Sequence, residues 1–596
     1  MITKKISDFF NESPNIRLSF RSLFISMLTM EIINSSTTII DSLVVSGYLG
    51  DIAIASIGLT YAIMTFQKLL AGLIAGGTQI ACSIEIGYAN TKKANQIFST
   101  SIMVSLIISA CLMLLGSVFA NDLAGILGAN RNPELIIPTA QYIRGILLGM
   151  PFSILTSLMI PVLQMDGAGK LVRISTFVTI ATDVLFDFLA VYFAENKIFA
   201  VGLATSLSYV GAFMVMLIHF FSKKAQLKFL LRDIRFSLFS QTLGHGFFTA
   251  FYRSMSIIRS IIMNYIILSF VSTYAMSAFS LFSNLKSFLT AIPAAIGSSA
   301  ILFASNLMVK RDLKGLRQVF KSSFFYGVIV MILLGVIVFI TAGPIFSLFS
   351  LHEETLASLV FIFKLFAFVL PLWGIKFFYI SYFQGVELKK ISMIFSLMGE
   401  LVLVVIPCFL LSHLYAIRGI WIGLAVAELL SIILLLIFVI IHNKHFPASI
   451  NDLMLLPKGF LDEEVAVLDP SARDAKDMED IHRLLKQFCT ENNIDDKREM
   501  AIRLSVEELS EYLFKNYQKR KGHLIDIQIR YLKHEDTVIL NFRYNDPSFN
   551  PMTIYGNVDR DRDEAMKNLG IRLVCQMNKD ISYVHFVSYG ELLAEL

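Results

Sequence analysis

The chain is dominated by a succession of apolar segments between Arg17 and Ile441, each of about 22 to 32 residues, enough for a helix to cross a bilayer with some tilt. Only 16% of the residues are charged, and the mean hydropathy is +0.66. That composition excludes an ordinary soluble protein. We predict twelve membrane-spanning helices, at residues 17–46, 53–79, 97–120, 135–163, 171–194, 199–222, 245–271, 276–307, 319–343, 356–385, 391–412 and 418–442.

The charges between these segments alternate in sign from loop to loop. Basic residues occupy every second loop, namely Lys92, Lys93, Lys170, Arg173, the stretches 223–235 and 310–321, Lys389 and Lys390. Because basic loops stay in the cytoplasm, we expect both termini there, which requires an even number of spans. The N-terminal stretch lacks the features of a secretory signal, and five scattered cysteines predict neither disulfides nor a metal site. The net charge of +5 is small for this length and does not indicate nucleic-acid binding.

The two sets of six segments resemble each other at an offset of about 221 residues, the kind of parallel repeat found in transporters. LQMDGAG around Gln164 corresponds to YFQGVEL around Gln384, and VGLATSLS corresponds to IGLAVAEL. The alternative is that any two hydrophobic bundles look alike. We divide the chain into an N-terminal segment (1–16), an N-lobe (17–222), a linker (223–244), a C-lobe (245–442), a second linker (443–464) and a soluble domain (465–596).

Ionisable residues inside the spans are candidates for function, because a charge at the bilayer centre costs about 2.5 to 3.5 kcal/mol. In the first half these are Glu31, Asp41, Asp183 and Asp187. Asp183 and Asp187 are four residues apart on one helical face, so they are not expected to be ionised together without a cation or proton between them. Asp41 can complete such a site from the first helix. Alternatively, Asp41 and Asp183 hydrogen-bond to backbone or serines and only hold helices together.

The second half lacks this arrangement, because the repeat places Met263, Val404 and Cys408 opposite the three aspartates. Ion coupling is therefore predicted in the N-lobe alone. Glu400 and Glu428 are the remaining acids of the second half; they contact a cationic substrate, cap a helix, or face a water-filled cleft. The candidate residues of a substrate cavity are Glu31, Gln164, Gln384, Glu400 and Glu428.

Residues 15–445 resemble the MATE family of multidrug and toxin extrusion transporters. The matching stretches are DSLVVSGYLGDIAIASIGLTYAI, LLAGLIAGGTQIACSIEIGYAN, LQMDG, TDVLFD and VGLATS, with STYAMSAFSLFSNLKSFLTAIPAAIGSSA, YFQG and IRGIWIGLAVAELL in the second half. The resemblance implies two six-helix lobes that alternate between inward-open and outward-open states. It also implies export of amphiphilic, often cationic compounds in exchange for H⁺ or Na⁺.

In many members of that family the N-lobe cation site has an aspartate in the first helix, an asparagine and an aspartate four apart in the fifth, and a threonine in the sixth. By position these fall on Asp41, Asp183, Asp187 and Thr205. The asparagine is thus replaced by Asp183, a third titratable carboxylate that favours a protonated form and hence H⁺ over Na⁺. The second-half acids used by some members have no match here.

After residue 464 the sequence becomes charged and soluble in character. Two helices are followed by LIDIQIRYL and TVILNFRY, which alternate about the turn KHED and predict a hairpin. A further helix precedes the short strands ISYVHFV and ELLAEL. This order predicts an α+β two-layer sandwich.

The domain resembles the GHKL ATP-binding fold of anti-sigma serine kinases through VEELSEYLFKN, FRYNDPSFNP and NLGIRLVCQMNKDISY. Glu508 falls where the general base of that family lies, but Tyr512 replaces the asparagine that holds Mg²⁺. Asn545 and Asp546 stand in place of an Asp-Gly pair, and Gly570 is the clear survivor of the phosphate-loop glycines.

Three interpretations of this domain remain open: an active kinase or ATPase, a nucleotide-binding domain without turnover, and a regulatory domain that binds a cytoplasmic protein. The altered motifs favour the last. No GxxxxGK[ST] phosphate loop occurs in the chain, so ATP is not expected to drive transport.

The sequence thus predicts a non-enzymatic antiporter of the bacterial cell membrane, surrounded by lipid, that needs no cofactor beyond its coupling ion, H⁺ or Na⁺. Two alternatives are a membrane sensor that signals through the soluble domain and a lipid-linked flippase of the same superfamily. The flippase requires a cationic cavity, which the sequence does not obviously supply.

Overall fold

A computed structural model of the chain describes residues 13–48, 50–127, 133–222, 225–270, 288–346, 353–456, 465–472, 476–517, 525–544 and 569–596, with the single residues 129, 279, 282, 286 and 460. The side chains of residues 33–55 are outside the described set.

The first half of the described chain is a bundle of helices joined by short turns. Its helices are α1 (Pro14–Tyr48), α2 (Gly50–Gly87), α3 (Thr91–Val118), α4 (Ala120–Ile126), α5 (Ile136–Leu148), α6 (Met150–Met165), α7 (Gly169–Phe193) and α8 (Lys197–Leu217). Asn90 caps α3 and Asn196 caps α8, each side chain accepting a hydrogen bond from a free backbone N–H of the first turn.

The second half repeats this arrangement after a connection of short 3₁₀ turns. Its helices are α9 (Phe239–Phe270), α10 (Ala291–Val309), α11 (Leu313–Phe346), α12 (Glu353–Gly385), α13 (Lys389–Leu397), α14 (Leu403–Asn443) and the short α15 (Ile450–Met454). A π-helical turn, Met398–Val402, joins α13 to α14.

Within the described residues, eight helical stretches are long and apolar enough to cross a membrane, or nine if α5 and α6 form one span bent by 44°. Pro151 in the first turn of α6 explains the bend, since proline supplies no backbone N–H to the preceding helix. The 55-residue stretch Lys389–Asn443 is counted among these as one span. Its backbone is non-helical at Tyr415 and Ala416, however, inside the predicted loop between residues 412 and 418. The predicted twelve spans are therefore matched in part.

The two halves meet along α2 and α10, where equivalent residues of the repeat touch. The Ser305 hydroxyl donates a hydrogen bond to the Ser83 hydroxyl at 2.9 Å, across 222 positions of sequence. The Ser83 hydroxyl in turn donates to the Leu302 carbonyl at 2.9 Å. These contacts lie at the end of the bundle that also holds the turns 88–90, 166–168 and 310–312, which we call the docked end.

The C-terminal domain contains a six-stranded antiparallel sheet with three described helices. The strands are β1 (Val465–Leu468), β2 (Ser471–Ala472), β3 (Ile525–Leu532), β4 (Thr537–Tyr544), β5 (Asp580–Phe586) and β6 (Tyr589–Glu595), in the order β1-β3-β4-β6-β5 with β2 beside β3. The helices are α16 (Asp477–Glu491), α17 (Asp496–Tyr517) and α18 (Leu569–Met577). The predicted hairpin is present as β3 and β4, paired from Ile525 with Tyr544 to Leu532 with Thr537.

One face of this sheet packs on the helices, and the other packs on the docked end of the bundle. Ile527, Leu540 and Leu592 share a core with Leu485 and Val506 of the helices. On the opposite face, Val584, Phe586 and Tyr589 belong to the same core as the membrane helices. The C-terminal domain is thus held directly against both lobes.

Candidate functional site

Asp183 and Asp187 lie on the buried face of α7, and each residue is only 3% exposed. Their spacing of one helical turn places both on the side of α7 that packs on α8. The hydroxyls of Thr205 and Ser208 on α8 interact with the Asp183 carboxylate. The Oδ1 atom of Asp183 is buried and has no hydrogen-bond donor among the described residues. An oxygen in that position has capacity for a proton or a hard cation.

The position of α8 is fixed by close contact with α5. The Ser206 hydroxyl donates a hydrogen bond to the Gly145 carbonyl at 2.6 Å. A side chain at Gly202 would come within 2.9 Å of the Tyr142 carbonyl oxygen, so glycine is needed there. This packing sets the distance between Thr205 and the aspartates of α7.

The structure thus places Thr205 beside Asp183, with Asp187 one turn further along the same buried face of α7. Asp41 is part of α1, but its side chain falls outside the described residues. Among described residues, no group of three or more His, Cys, Asp or Glu side chains has the arrangement of a metal site. The cation site remains a prediction that rests on the α7 pair and Thr205.

The polar residues predicted for a substrate cavity lie at different levels of the bundle. Gln164 is 1% exposed near the end of α6, and neither amide atom has a hydrogen-bond partner among the described residues. Its repeat counterpart, Gln384, accepts a hydrogen bond from the Thr249 hydroxyl at 3.0 Å. Glu31 on α1 interacts electrostatically with Arg253 on α9, and Arg253 also packs on Gly72 of α2.

Glu400 and Glu428 belong to a buried ionic cluster of the C-lobe. The Lys376 ammonium lies 3.1 Å from Glu400 Oε1 and 2.9 Å from Glu428 Oε2, and it donates a hydrogen bond to the Gly399 carbonyl at 3.3 Å. Arg259 forms a second ion pair with Glu400. In this conformation both carboxylates are therefore occupied by cations of the protein itself.

The π-helical turn brings Glu400 into this cluster. A π-turn widens the helix by one residue and commonly occurs at functional positions. Beyond the cluster, the Lys286 ammonium lies over the rings of Phe366 and Trp373, 5.2 and 5.0 Å from their centroids. Cation–π contacts of this kind stabilise a charge in an apolar lobe.

The cations of the C-lobe were absent from the sequence-based candidates. Arg253, Arg259, Lys286 and Lys376 all fall inside predicted spans, and the cost of a charge in hydrocarbon would have identified each of them. The predicted charged candidates of the bundle were all acids. The sequence reasoning therefore understated the positive charge within the bundle.

The positions predicted for the degenerate nucleotide site are described only in part. Glu508 on α17 is half-buried, and burial followed by repulsion from Glu511 and Glu507 raises its pKa. Tyr512 is 9% exposed, so its ring fills the place at which the resemblance predicts a metal-binding amide. Gly570 is in the first turn of α18, whereas Asn545 and Asp546 lie outside the described residues.

Comparison with known proteins matches the helical part of the chain to one family. The profile of the MatE family matches residues 26–189 and 249–410, one segment in each half. Multidrug export protein MepA of Staphylococcus saprophyticus is 24% identical over 389 residues, which cover 64% of this chain and 84% of MepA. Probable multidrug resistance protein YoeA of Bacillus subtilis is 21% identical over 370 residues, covering 60% of this chain and 77% of YoeA.

Solved structures of the same fold superpose on most of the chain. The Vibrio cholerae MATE transporter VcmN in its bent form gives a TM-score of 0.65 at 18% identity, covering 71% of this chain and 95% of that one. A transporter of the MOP superfamily from Pyrococcus furiosus gives 0.65 at 18% identity, covering 70% and 94%. At 18% sequence identity, this structural similarity establishes the fold alone.

Proposed function

This chain belongs to the MatE family, and from that premise we propose that it is a secondary active exporter of amphiphilic or cationic solutes, driven by an inward flow of H⁺ or Na⁺. The observation that carries the proposal is the pair Asp183 and Asp187, each 3% exposed on one face of α7, with Thr205 beside Asp183. A multi-pass membrane protein retains buried carboxylates of this kind at a cost, which coupling to an ion would explain.

The coupling step follows from the charge of that pair. With one proton or cation bound, the buried face of α7 carries less negative charge, and its packing on α8 is favoured. With the ion released, repulsion between the carboxylates favours a different arrangement. Occupancy thus biases the equilibrium between two conformations of the bundle, as alternating access requires.

We further propose that the bundle contains twelve spans and that the docked end faces the cytoplasm. The basic loops support this orientation, because those around Lys92, Lys228, Lys310 and Lys389 all lie at the docked end. The C-terminal domain, which packs there, would then be cytoplasmic. We assign it a regulatory role without nucleotide turnover, on the strength of Tyr512 and the missing glycines.

Transport by purified protein in liposomes tests the proposal. Export of a fluorescent organic cation should require an imposed H⁺ or Na⁺ gradient, and Asp187→Asn should abolish it. Asp122→Asn, which makes the same change at an exposed residue of α4, is the matched control and should transport normally. Gradient-independent movement, or full activity of Asp187→Asn, would count against the proposal.

A second candidate function is sensing, and the direct packing of the C-terminal domain on both lobes favours it. In a sensor, the state of the bundle would control which protein the domain binds. Asp187→Asn separates the two candidates: lost export with unchanged partner binding favours transport, and altered partner binding without an export phenotype favours sensing.

A further inference from the structure

The sheet of the C-terminal domain has a polar face that is not solvated. Asp526, Gln528 and Arg530 alternate along β3 with the apolar residues that face the helices, and they are 9%, 3% and 6% exposed. Asn541 and Arg543 continue this face on β4 at 0% and 4%, and Glu591 lies on β6 at 0%. An antiparallel sheet with helices on one side normally turns its polar face to water. Here the membrane bundle covers it.

The N-lobe supplies one half of the cover. At the start of α1, the Ser13 hydroxyl and the Asn15 amide donate hydrogen bonds to Asp526 Oδ2 at 3.0 and 3.2 Å. One turn further on, the hydroxyls of Ser19 and Ser588 are 2.6 Å apart. The β5–β6 turn is therefore held beside α1.

The turn after α6 holds the same hairpin from a second direction. The Val587 N–H donates a hydrogen bond to the Met165 carbonyl at 2.7 Å. Gly167 has a positive φ of 73°, and a side chain there would come within 2.6 Å of the Val587 carbonyl oxygen. Only glycine combines that backbone conformation with so close an approach.

A histidine–aspartate group completes the contact with the N-lobe. His585 Nε2 is 3.1 Å from Asp166 Oδ1, and His219 Nε2 is 2.6 Å from Asp166 Oδ2. The His585 N–H donates to Gln226 Oε1 at 2.7 Å, and the Gln226 N–H donates to Asp166. Burial alone would raise the pKa of Asp166, but hydrogen bonds from His219 and His585 outweigh it and hold the pKa below its ordinary value. Asp166 is thus a charged anchor for the hairpin.

The C-lobe supplies the other half of the cover. Phe586 packs edge-on against Phe303 of α10, with ring centroids 5.4 Å apart. Lys310 forms an ion pair with Glu591, and both side chains are fully buried. Arg543 Nη1 lies 2.6 Å from Asp312 Oδ2 at the start of α11. The same sheet face is therefore bonded to both lobes at once.

We propose that the C-terminal domain is a lock on the transporter: by binding both lobes at the docked end, it stabilises the state closed at that end and must release one lobe before the bundle opens there. The proposal rests on alternating access in the proposed function, but not on the identity of the solute or ion. Alternating access separates the lobes at this end, as in other transporters built from two repeats. A rigid sheet bonded to both cannot follow both as they move apart. The free energy with which the domain binds both lobes therefore stabilises the closed state relative to the open state.

The chemistry of the interface suits a contact that forms and breaks. Hydrogen bonds and ion pairs supply many of its contacts, beside an apolar patch of Val584, Phe586 and Tyr589. Polar interfaces between domains of one chain are typical of parts that move relative to each other. The lock also explains why the sheet keeps a charged face that is buried while the domain is docked.

Distances between spin labels in the full-length protein in lipid nanodiscs test the lock. Lys92→Cys in the N-lobe and Lys390→Cys in the C-lobe, both exposed at the docked end, report its opening. A second pair, Lys92→Cys with Lys515→Cys on exposed α17, reports whether the domain is docked. The two natural cysteines open to labelling, Cys111 and Cys575, are replaced by serine, and the three buried ones are kept.

Two variants disrupt the contact, one from the C-terminal domain and one from the bundle. Ser588→Trp places a large ring where the serine meets α1, at a turn outside the core of the domain. Gly167→Ala puts a methyl group against Val587 from the bundle. Their controls are His534→Trp, which places the same ring on the exposed β3–β4 turn, and Gly244→Ala in α9, where an added methyl group meets nothing within 4 Å.

In both variants we expect the 92–515 distance to lengthen and the ratio of long to short 92–390 distances to rise by about tenfold, equivalent to about 1.4 kcal/mol of lost docking energy. The controls should match the parent protein. An undocked domain with unchanged 92–390 distances would overturn the lock, and so would a domain that stays docked in both variants. Because neither readout measures transport, failure of the lock is distinct from failure of the proposed function.

Discussion

Replacing Lys376 by methionine is expected to destabilise the C-lobe far more than the loss of an exposed lysine. The Lys376 side chain is 1% exposed and contacts Glu400 and Glu428 at 3.1 and 2.9 Å. Without it, Glu400 keeps its ion pair with Arg259, but Glu428 loses the cation that the described residues provide for it. Leaving one member of a buried ion pair alone costs about 3–5 kcal/mol.

For a lobe of this size, that loss corresponds to a fall of about 6–20 °C in unfolding temperature, at about 2–4 °C per kcal/mol. Intrinsic fluorescence is a selective probe, because the chain has only two tryptophans and both are buried in the C-lobe near the cluster: Trp373 at 4% and Trp421 at 0% exposure. Thermal unfolding of the protein in detergent, followed by tryptophan emission, therefore measures the lobe in question.

Lys364→Met is the matched control, since it makes the same substitution at an exposed position of the same helix, α12. The double variant Lys376→Met/Glu428→Gln removes the carboxylate left without its cation, so it should recover much of the lost stability as a coupling in a double-mutant cycle. Equal unfolding temperatures for Lys376→Met and Lys364→Met would refute the reasoning. So would a double variant no more stable than Lys376→Met alone.

Two further predictions concern single carboxylates. Asp183→Asn should reduce export and flatten its pH dependence in the liposome assay, because one carboxylate of the pair becomes a neutral amide and the repulsion on ion release is lost; a pH profile equal to that of Asp122→Asn contradicts this. Burial, followed by repulsion from Asp312, raises the pKa of Asp469 to about 6 from 3.8, so its ionised form weakens the folded protein as the pH rises through that interval. Asp469→Asn should therefore raise the unfolding temperature at neutral pH. The corresponding gain in free energy of unfolding is at most about 3 kcal/mol before solvent screening, and no gain is expected below pH 3.8. The exposed Asp580→Asn is the control, and a gain unchanged in acid would contradict the assignment.

Several helix positions were predictable because the bilayer fixes the length of an apolar segment. The predicted span 171–194 is α7, Gly169–Phe193, and the predicted gap between 412 and 418 coincides with the break at Tyr415 and Ala416. The bend between α5 and α6 was missed, because apolar composition continues through Gly149 and Pro151. Hydropathy measures length and apolarity but does not register a change in helix direction.

Part of the candidate site was also predictable. An aspartate pair at i and i+4 shares a face in any helix, so the common face of Asp183 and Asp187 followed from their spacing, whereas their burial did not. The pairing of Glu400 and Glu428 with Lys376 did not follow, because those residues are 24 and 52 positions apart and meet only through helix packing. Sequence distance carries no information about such contacts.

The sequence by itself determined that the chain carries membrane-spanning segments, that its two halves repeat, and that a charged segment of different composition follows them. These properties depend on local composition and on spacing along the chain, which hydrophobic burial translates directly into structure. Only the tertiary structure decided what the polar face of the domain does. Alternation along β3 predicts one apolar and one polar face, but a polar face is equally compatible with water and with a charged partner. The burial of Arg543 and Glu591 against the bundle settles it, because Asp312 and Lys310, hundreds of residues away in the C-lobe, neutralise their charges.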